Sequence, residues 1–235
     1  MLEFGAESIL IEQTAQRLGA ALGVDSVQMS LIPAAIVLTT LHNNQSVTTT
    51  RSVHHKPINM LIVCDVQTMV IDVEKYKHPS EYVNTTIRNI QPNLYNKWLI
   101  VFMVGLACAS FAILQDGDIN SFFITFFVAS IAMFIRQELN KKRFMMIITF
   151  GVTSFIATIL ASLIMLLDIT STPNIVLASS VLLLVPGVPF INSFLDAFKG
   201  YLSMGWGRWL QASLLTVASS MGIVLAMSVL NIKGW

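Results

Sequence analysis

The sequence predicts a membrane α-helical protein in which five transmembrane helices are preceded by a small α+β cytoplasmic domain. Hydrophobic residues make up 54% of the 235 residues and charged residues only 11%, whereas about a quarter of a soluble domain is charged. The acidic residues are concentrated before Trp98, and five apolar runs follow it. A formal net charge of +1 does not favour nucleic-acid binding, because nucleic-acid-binding domains are usually strongly basic.

The polar region, residues 1–91, contains helical and strand patterns that predict the α+β domain. Apolar residues recur at helical spacing from Glu3, and an alternation of apolar and polar residues begins at Ser26. His42–Gln45 has the composition of a hairpin turn. We expect helices over Glu3–Leu22, Val66–Tyr76 and Pro79–Ile90, and antiparallel strands over Ser26–Leu31, Ala35–Leu41, Ser46–Arg51 and Asn59–Cys64.

The same region contains residue types from which a hydrolytic triad could be built. These are Glu7, Ser8, Asp65 and the four histidines His42, His54, His55 and His78. The chain has no Gly-x-Ser-x-Gly elbow and no His-x-x-x-His pair, so it is not expected to be an enzyme. A membrane-anchored hydrolase with its active site in this domain is the alternative function.

Cofactors are not expected either. Cys64 and Cys108 are too few and too differently placed for a zinc site or a disulfide framework, and we expect both to be buried apolar residues. The sequence contains no Walker motif, which argues against transport driven by ATP hydrolysis within this chain. No basic and apolar leader opens the chain, so no cleaved signal peptide is expected.

Five apolar runs predict the transmembrane domain, residues 92–235. A bilayer core needs about 20 apolar residues, with a lower limit of about 17. Each run therefore has the length to cross once. The runs are 98–114, 119–135, 144–167, 175–195 and 206–230.

The distribution of basic residues predicts the orientation of these crossings. The connector after the second run contains Arg136, Lys141, Lys142 and Arg143, and Lys199 and Arg208 lie around the junction of the fourth and fifth runs. The other two connectors, 115–118 and 168–174, contain neither lysine nor arginine. Because basic residues stay on the inner side, we expect a cytoplasmic N-terminus and a periplasmic C-terminus at Trp235.

The fourth run is interrupted by Pro186-Gly187-Val188-Pro189. Proline removes an amide donor and clashes with the preceding turn, so we expect the helix to unwind or bend at 186–189. At about 1.5 Å per residue from Pro173, Val185 would lie about 18 Å into a core of about 30 Å. Such breaks survive only inside protein or beside water. They form substrate sites in many transporters, although a packing kink without a ligand is also compatible.

The half-helix after this break carries the predicted substrate site. Its first free amides have a partial positive charge that favours a carboxylate. Asn192, Asp196 and Lys199 share one helical face, which we interpret either as a rim salt bridge between Asp196 and Lys199 or as a cytoplasmic mouth that receives substrate. The predicted substrate-binding residues are Pro186, Gly187, Pro189, Asn192, Ser193, Asp196 and Arg51.

Arg51 is included because it follows three threonines, 48–50. Hydroxyls and a guanidinium can together hold a carboxylate. A threonine-rich segment is also simply a good strand. In the fifth run, Ala218, Gly222 and Ala226 recur every four residues, a spacing that predicts close helix packing.

Several motifs together resemble the threonine/serine exporter family in its split form. They are Gly5-Ala6-Glu7-Ser8, Ala35–Thr40, Thr50-Arg51, Ile58-Asn59-Met60, Ile135-Arg136-Gln137 and Leu182–Asn192. The resemblance covers essentially the whole chain. It implies a bacterial inner-membrane exporter of small carboxylates: threonine and serine for the family, and succinate-type dicarboxylates for the split form. Relatives carry further helix before Gly5, so we expect an internal start or a shortened first helix.

The resemblance also implies a partner, a second, separately encoded membrane subunit of the YjjB-like type. Five crossings agree with that implication, because only an odd number allows two halves to be inserted in opposite directions. We expect the partner to have five crossings of the reverse orientation, and we leave assembly into a higher oligomer open.

Overall fold

The computed structural model describes residues 1–54, 56–92, 95–165 and 169–230. The sequence-based expectations for His55, Asn93, Leu166, Leu167, Asp168 and Trp235 lie outside these residues. The helices are α1 Ser8–Ala21, α2 Met60–Tyr76, α3 Ser80–Asn89, α4 Lys97–Leu114, α5 Ile119–Lys141, α6 Met146–Met165, α7 Pro173–Ser180, α8 Gly187–Phe198 and α9 Leu202–Val229, and the strands are β1 Ser26–Ile32, β2 Ala35–His42 and β3 Gln45–Ser52.

The chain divides into two compact units. The first comprises Met1–Leu94 with Gly187–Gln211, and the second comprises Tyr95–Pro186 with Ala212–Trp235. The first unit therefore includes α8 and the start of α9, which the sequence does not suggest. The domain division at residues 91 and 92 stays a prediction.

The sheet of the first unit is an antiparallel meander in the order β1-β2-β3. Asn43 and Asn44 connect β2 to β3 with φ angles of 50° and 59°, the backbone that a two-residue hairpin of type I′ requires. Asparagine adopts this conformation more readily than other residues with a side chain. The predicted hairpin at His42–Gln45 is confirmed.

The predicted fourth strand, Asn59–Cys64, is wrong. Asn59 is instead the N-cap of α2, and its side-chain oxygen accepts a hydrogen bond from the Leu61 amide at 3.1 Å. Ile62, Val63, Met69, Val70 and Val73 are buried along one face of that helix. The β-branched residues at its start favour a strand locally. The cap and the burial of residues at helical spacing stabilise a helix instead.

The core of the first unit brings its two chain segments together. Leu2, Ala6, Ile11 and Leu31 pack in one apolar cluster with Met204 from α9. Pro33, in the turn between β1 and β2, lies so close to Gly207 that a Cβ there would come within 2.2 Å of the proline ring. The polar N-terminal region of the chain therefore packs directly on the start of α9.

The second unit contains α4 to α7 and the rest of α9. Ile124 and Val128 of α5 pack against Ala157 and Ala161 of α6 and Val176 of α7. A Cβ on Gly222 of α9 would come within 2.3 Å of the Gly151 carbonyl oxygen of α6. The close packing predicted for the small residues of the last run is confirmed at this position.

Four of the described helices, α4, α5, α6 and α9, have the length and apolar composition to cross a membrane. Residues Pro173–Leu184 and Gly187–Phe198 satisfy the same test only as an interrupted pair, which would be the fifth crossing. The chain is thus mainly helical with four or five candidate spans and a small N-terminal sheet. The count of five and the cytoplasmic location of the sheet stay predictions.

Candidate functional site

The interruption of the fourth apolar run lies one turn earlier than the sequence predicts. α7 ends at Ser180, Leu182–Leu184 form a 3-10 turn, and Val185 is extended at φ −70° and ψ 119°. α8 begins at Gly187, so the expected unwinding at 186–189 is correct only for Pro186. Pro189 is helical because the first-turn amides have no intrahelical acceptor, so a proline there removes no hydrogen bond.

Arg136 contacts this interruption. Its Nη1 donates a hydrogen bond to the carbonyl oxygen of Leu183 at 2.8 Å, and its Cζ lies 4.7 Å from the ring centroid of Phe150. The apolar pattern predicts that Arg136 lies in the connector after the second run, but α5 continues to Lys141. Val128 and Ala132 are buried on the inward face of α5, and Arg136 follows on the same face at the next helical step. That spacing is the signal that could have identified it.

The predicted polar face of α8 holds the segment Gly5–Ser8. Asn192 Nδ2 donates to the Gly5 carbonyl at 2.9 Å, and the Ser8 amide donates to Asp196 Oδ1 at 3.0 Å. The Asp196 carboxylate therefore lies at the N-terminus of α1, where the helix dipole favours a negative charge. Both contacts join residues about 190 positions apart in the chain.

Asp196 also contacts Arg208 of α9. Arg208 Nη1 lies 2.9 Å from Asp196 Oδ2 in ionic contact, although the pair lacks hydrogen-bond geometry. Arg208 Nη2 donates to the Ala6 carbonyl at 2.6 Å. Asp196 is 0% exposed and Arg208 is 7% exposed. The two charges form a buried pair that joins α8, α9 and the segment before α1.

Of the two interpretations of this helical face, the rim salt bridge between Asp196 and Lys199 is wrong. Lys199 Nζ instead contacts Glu7 Oε2 at 2.5 Å near the surface, because Arg208 already neutralises Asp196 inside the unit. Tyr201 donates a hydrogen bond to Glu12. Burial, together with this hydrogen bond to a carboxylate, raises the pKa of Tyr201 to about 12.

The remaining predicted site residues are in different surroundings. Ser193 donates to the Phe190 carbonyl at 2.6 Å within its own helix. Gly187 has open space where a Cβ would be. Arg51 is exposed on β3, opposite Ile36 of β2, and the structure gives it no contact with Asn192 or Asp196 among the described residues. Their roles in substrate binding stay predictions.

The residues considered for hydrolysis are not arranged as a triad among the described residues. Ser8 is completely buried, and its hydroxyl has no hydrogen-bond partner there. His78 stacks on Tyr82 with ring centroids 4.1 Å apart, and the nearest polar contact of His42 is Asn43. Among the residues that the structure describes, no group of three His, Cys, Asp or Glu side chains could hold a metal ion. Cys108 is buried as expected, but Cys64 is exposed.

Asp118 joins two loops of the second unit. It caps α5 by accepting a hydrogen bond from the Ser121 amide at 2.7 Å, and it accepts others from the Thr170 hydroxyl at 2.7 Å and the Ser171 amide at 3.0 Å. Hydrogen bonds from Ser121, Thr170 and Ser171 hold the pKa of Asp118 well below its ordinary value. The hydrogen bonds of this carboxylate therefore fix the two loops.

Comparison with known proteins identifies the family. Residues 1–230 match the model of the family described as "Putative threonine/serine exporter". The chain is 44% identical over its whole length to the "Probable succinate transporter subunit YjjP" of Escherichia coli K12, and 43% identical to the protein of the same name from Klebsiella aerogenes, covering 92% of each. An "Uncharacterized protein" of Haemophilus influenzae is 49% identical over half of the chain and 40% of its own length.

No solved structure matches the chain. The match to the family covers almost the entire sequence, and two full-length relatives have the word transporter in their names. The chain is therefore a multi-pass membrane protein of a transporter family, and it belongs to the threonine/serine exporter family.

Proposed function

We propose that this chain is one subunit of a secondary exporter that moves small carboxylates out across the bacterial inner membrane, together with a second, YjjB-like membrane subunit. The observation that carries the proposal is the interrupted fourth span in a member of an exporter family. Broken spans place polar backbone groups at membrane depth, where a solute can use them. The names of the two full-length relatives favour succinate and a multi-subunit assembly.

In this proposal the carboxylate binds at the interruption. The amides of Gly187 and Val188 lie in the first turn of α8 and have no intrahelical acceptor, so they favour an anion. Pro186 and Pro189 keep this end of the helix from continuing into the 3-10 turn. Asn192 and Asp196 act by fixing α8 to Gly5–Ser8, while Ser193 and Arg51 remain candidate contacts for the substrate.

The proposed orientation has the N-terminus in the cytoplasm and the C-terminus in the periplasm, with five crossings. The basic residues Lys141, Lys142 and Arg143 end α5 or follow it directly, as expected for an inner loop. The partner supplies crossings of the reverse orientation. The complete translocation path therefore needs both subunits.

Counterflow of labelled succinate and threonine into proteoliposomes tests this function. We expect vesicles with both co-expressed subunits to accumulate labelled succinate when unlabelled succinate is preloaded. Vesicles with either subunit alone, and empty vesicles, serve as controls. Counterflow by this chain alone would contradict the need for a partner, and lack of counterflow with both subunits would contradict the transport of that carboxylate.

A proline variant tests the role of the interruption. Replacing Pro186 and Pro189 together with alanine restores two amide donors and allows the helix to continue, so we expect the double variant Pro186→Ala/Pro189→Ala to lower the rate of counterflow. Pro173→Ala, at the first position of α7, is the matched control because proline there is compatible with a continuous helix. Equal rates for the two variants would contradict a role for the broken backbone.

A further inference from the structure

Arg136 is a cation on an inward face with no acidic partner in the described chain. Charged residues within membrane spans are rare, pair with one another or with backbone carbonyls, and mark substrate or ion paths. The four ion pairs among the described residues are Arg17–Glu74, Lys56–Glu3, Lys199–Glu7 and Arg208–Asp196. Arg136 is in none of them. Its positive charge is therefore not neutralised by the residues that the structure describes.

The acidic residues of the same unit are on other surfaces. Among its described residues, Asp116 and Asp118 lie in the loop and cap before α5, at the opposite end of that helix from Arg136. Glu138 is two positions after Arg136, which turns it by about 200° around the helix. The guanidinium thus has the Leu183 carbonyl and the Phe150 ring as its neighbours, and neither carries a formal charge.

The guanidinium of Arg136 also has N–H groups that donate to no described protein atom. Arginine has five N–H groups in a planar fork, and one hydrogen bond to protein, from Nη1 to Leu183, is found within the described chain. The side chain is half-buried. Exposing the other N–H groups to hydrocarbon is unfavourable, so they need an acceptor, which water or a solute can supply.

Four hydroxyls without hydrogen-bond partners among the described residues are found on α7, which precedes the interruption, and on α6, which packs against it through Phe150. Ser179 and Ser180 end α7 directly before the 3-10 turn, and Thr149 and Thr153 are on the same part of α6 as Phe150, which packs against Leu184. All four are completely buried. Their hydroxyl oxygens form no hydrogen bond in the described chain, not even with their own helix. Leaving a buried hydroxyl without a partner is unfavourable, so these groups also have free hydrogen-bonding capacity for a polar solute.

We propose that Arg136 binds one carboxylate of a small dicarboxylate at the interruption, with the hydroxyls of Thr149, Thr153, Ser179 and Ser180 as neutral hydrogen-bonding groups. This inference rests on the proposed function and names the class of substrate. An amino acid such as threonine carries an ammonium group that needs an anionic partner. Because the described residues around Arg136 supply a positive charge and no negative one, they favour a dianion over a zwitterion.

Binding of labelled succinate to the purified two-subunit complex tests the inference. Arg136→Gln keeps an amide donor for the Leu183 carbonyl but removes the charge, and we expect it to weaken succinate binding by about tenfold to a hundredfold. Arg136→Lys keeps the charge without the planar fork and is expected to have an intermediate affinity. Lys141→Gln is the matched control, because it removes an exposed positive charge near the end of the same helix.

Three results would overturn the inference. Succinate affinity in Arg136→Gln equal to that of the unmodified complex would show that Arg136 only caps the Leu183 carbonyl. A second such result is that Arg136→Gln no longer co-purifies with the second subunit whereas Arg136→Lys still does. The guanidinium would then pair with an acidic residue of that subunit and not with the substrate. In the unmodified complex, threonine binding as tight as succinate binding would exclude selection for a dianion, whether or not any variant folds.

The same samples separate this inference from the proposed function. If the complex performs counterflow of succinate and Arg136→Gln has normal affinity, the inference fails and the exporter function stands. If the complex binds succinate through Arg136 but shows no counterflow, the exporter function fails and the assigned site stands.

Discussion

Arg208 and Arg136 are both arginines within apolar parts of the chain, but their surroundings differ. Arg208, in the first unit, contacts the buried carboxylate of Asp196 at 2.9 Å and donates to the Ala6 carbonyl at 2.6 Å. Arg136, in the second unit, has one carbonyl and one aromatic ring. The first arginine is neutralised by its own chain, whereas the second is not neutralised by any described residue.

This difference distinguishes a charge that holds the fold together from the charge that we propose binds the substrate. A buried ion pair is costly to create and contributes little net stability, but removing one partner is strongly destabilising. Asp196 and Arg208 therefore act together in fixing Gly5–Ser8 to α8 and α9. A guanidinium with hydroxyls nearby and no carboxylate has the donors that a small anion requires.

The largest expected effect is the loss of the partner of Arg208. Replacing Asp196 with alanine leaves a buried positive charge and frees the N-terminus of α1, so we expect the free energy of unfolding to fall by about 3–5 kcal/mol. Thermal unfolding in detergent measures the change. Arg136→Gln is the comparison and should destabilise much less, because Arg136 leaves no carboxylate behind. Equal destabilisation by the two variants would contradict the distinction between the two arginines.

Gly205 tests how tightly the first unit is packed around that ion pair. A Cβ at Gly205 would lie 2.7 Å from the Ser193 carbonyl oxygen and 3.0 Å from Ala197, too close for a helix that cannot shift. We expect Gly205→Ala to lower the free energy of unfolding by about 1–3 kcal/mol. Unchanged unfolding would mean that α8 and α9 can separate without disturbing Asp196 and Arg208.

Asp118 extends the comparison to a carboxylate whose partners are hydroxyls and amides. Its folded-state pKa is below that of the unfolded chain, so its contribution to stability is fully present above the ordinary Asp value of about 3.9 and is lost as the pH falls through the folded value. We expect the unfolding temperature of the native protein to decrease in this acid range more than that of Asp118→Asn. Asp116→Asn, in the preceding loop, is the control and should follow the native protein. Identical acid profiles for the Asp118 variant and the native protein would contradict the assignment.

The smallest effect is expected at Gly187. Apart from the local backbone, no atom lies within 4 Å of the position that a Cβ would take, and the residue is helical. Gly187→Ala should therefore leave the fold intact and stabilise it by at most about 1 kcal/mol. Reduced counterflow with unchanged stability would show that the substrate approaches this backbone closely, whereas a large loss of stability would mean that α8 does not begin there.

The sequence is sufficient to predict features that depend on local chemistry. The apolar runs follow from composition, the β2–β3 hairpin from Asn43 and Asn44, and the broken fourth run from Pro186. The position of the break is harder to predict, because Pro189 interrupts a helix only when it lies beyond the first turn. The strand expected at Asn59–Cys64 fails for a similar reason, since the capping role of Asn59 outweighs the β-branched residues after it.

The partners of charged residues could not be predicted, because they depend on long-range packing. Lys199 is one helical turn from Asp196, but Arg208 reaches that carboxylate through the turn at Gly200, which has a φ angle of 90°. Nothing in the local sequence around Asp196 indicates Ser8 as its second partner. Arg136 resembles an interfacial residue at the end of an apolar run, and only the continuation of α5 to Lys141 places it on the inward face.

The most direct test is an experimental structure of the two-subunit complex with a brominated dicarboxylate, using the anomalous signal of bromine to locate the ligand. We expect bromine density beside the interruption, with one carboxylate within hydrogen-bond distance of the Arg136 guanidinium and close to the hydroxyls of Ser179 and Ser180. Density at the Asp196–Arg208 pair instead, or a ligand that leaves Arg136 without an anionic partner, would contradict the account.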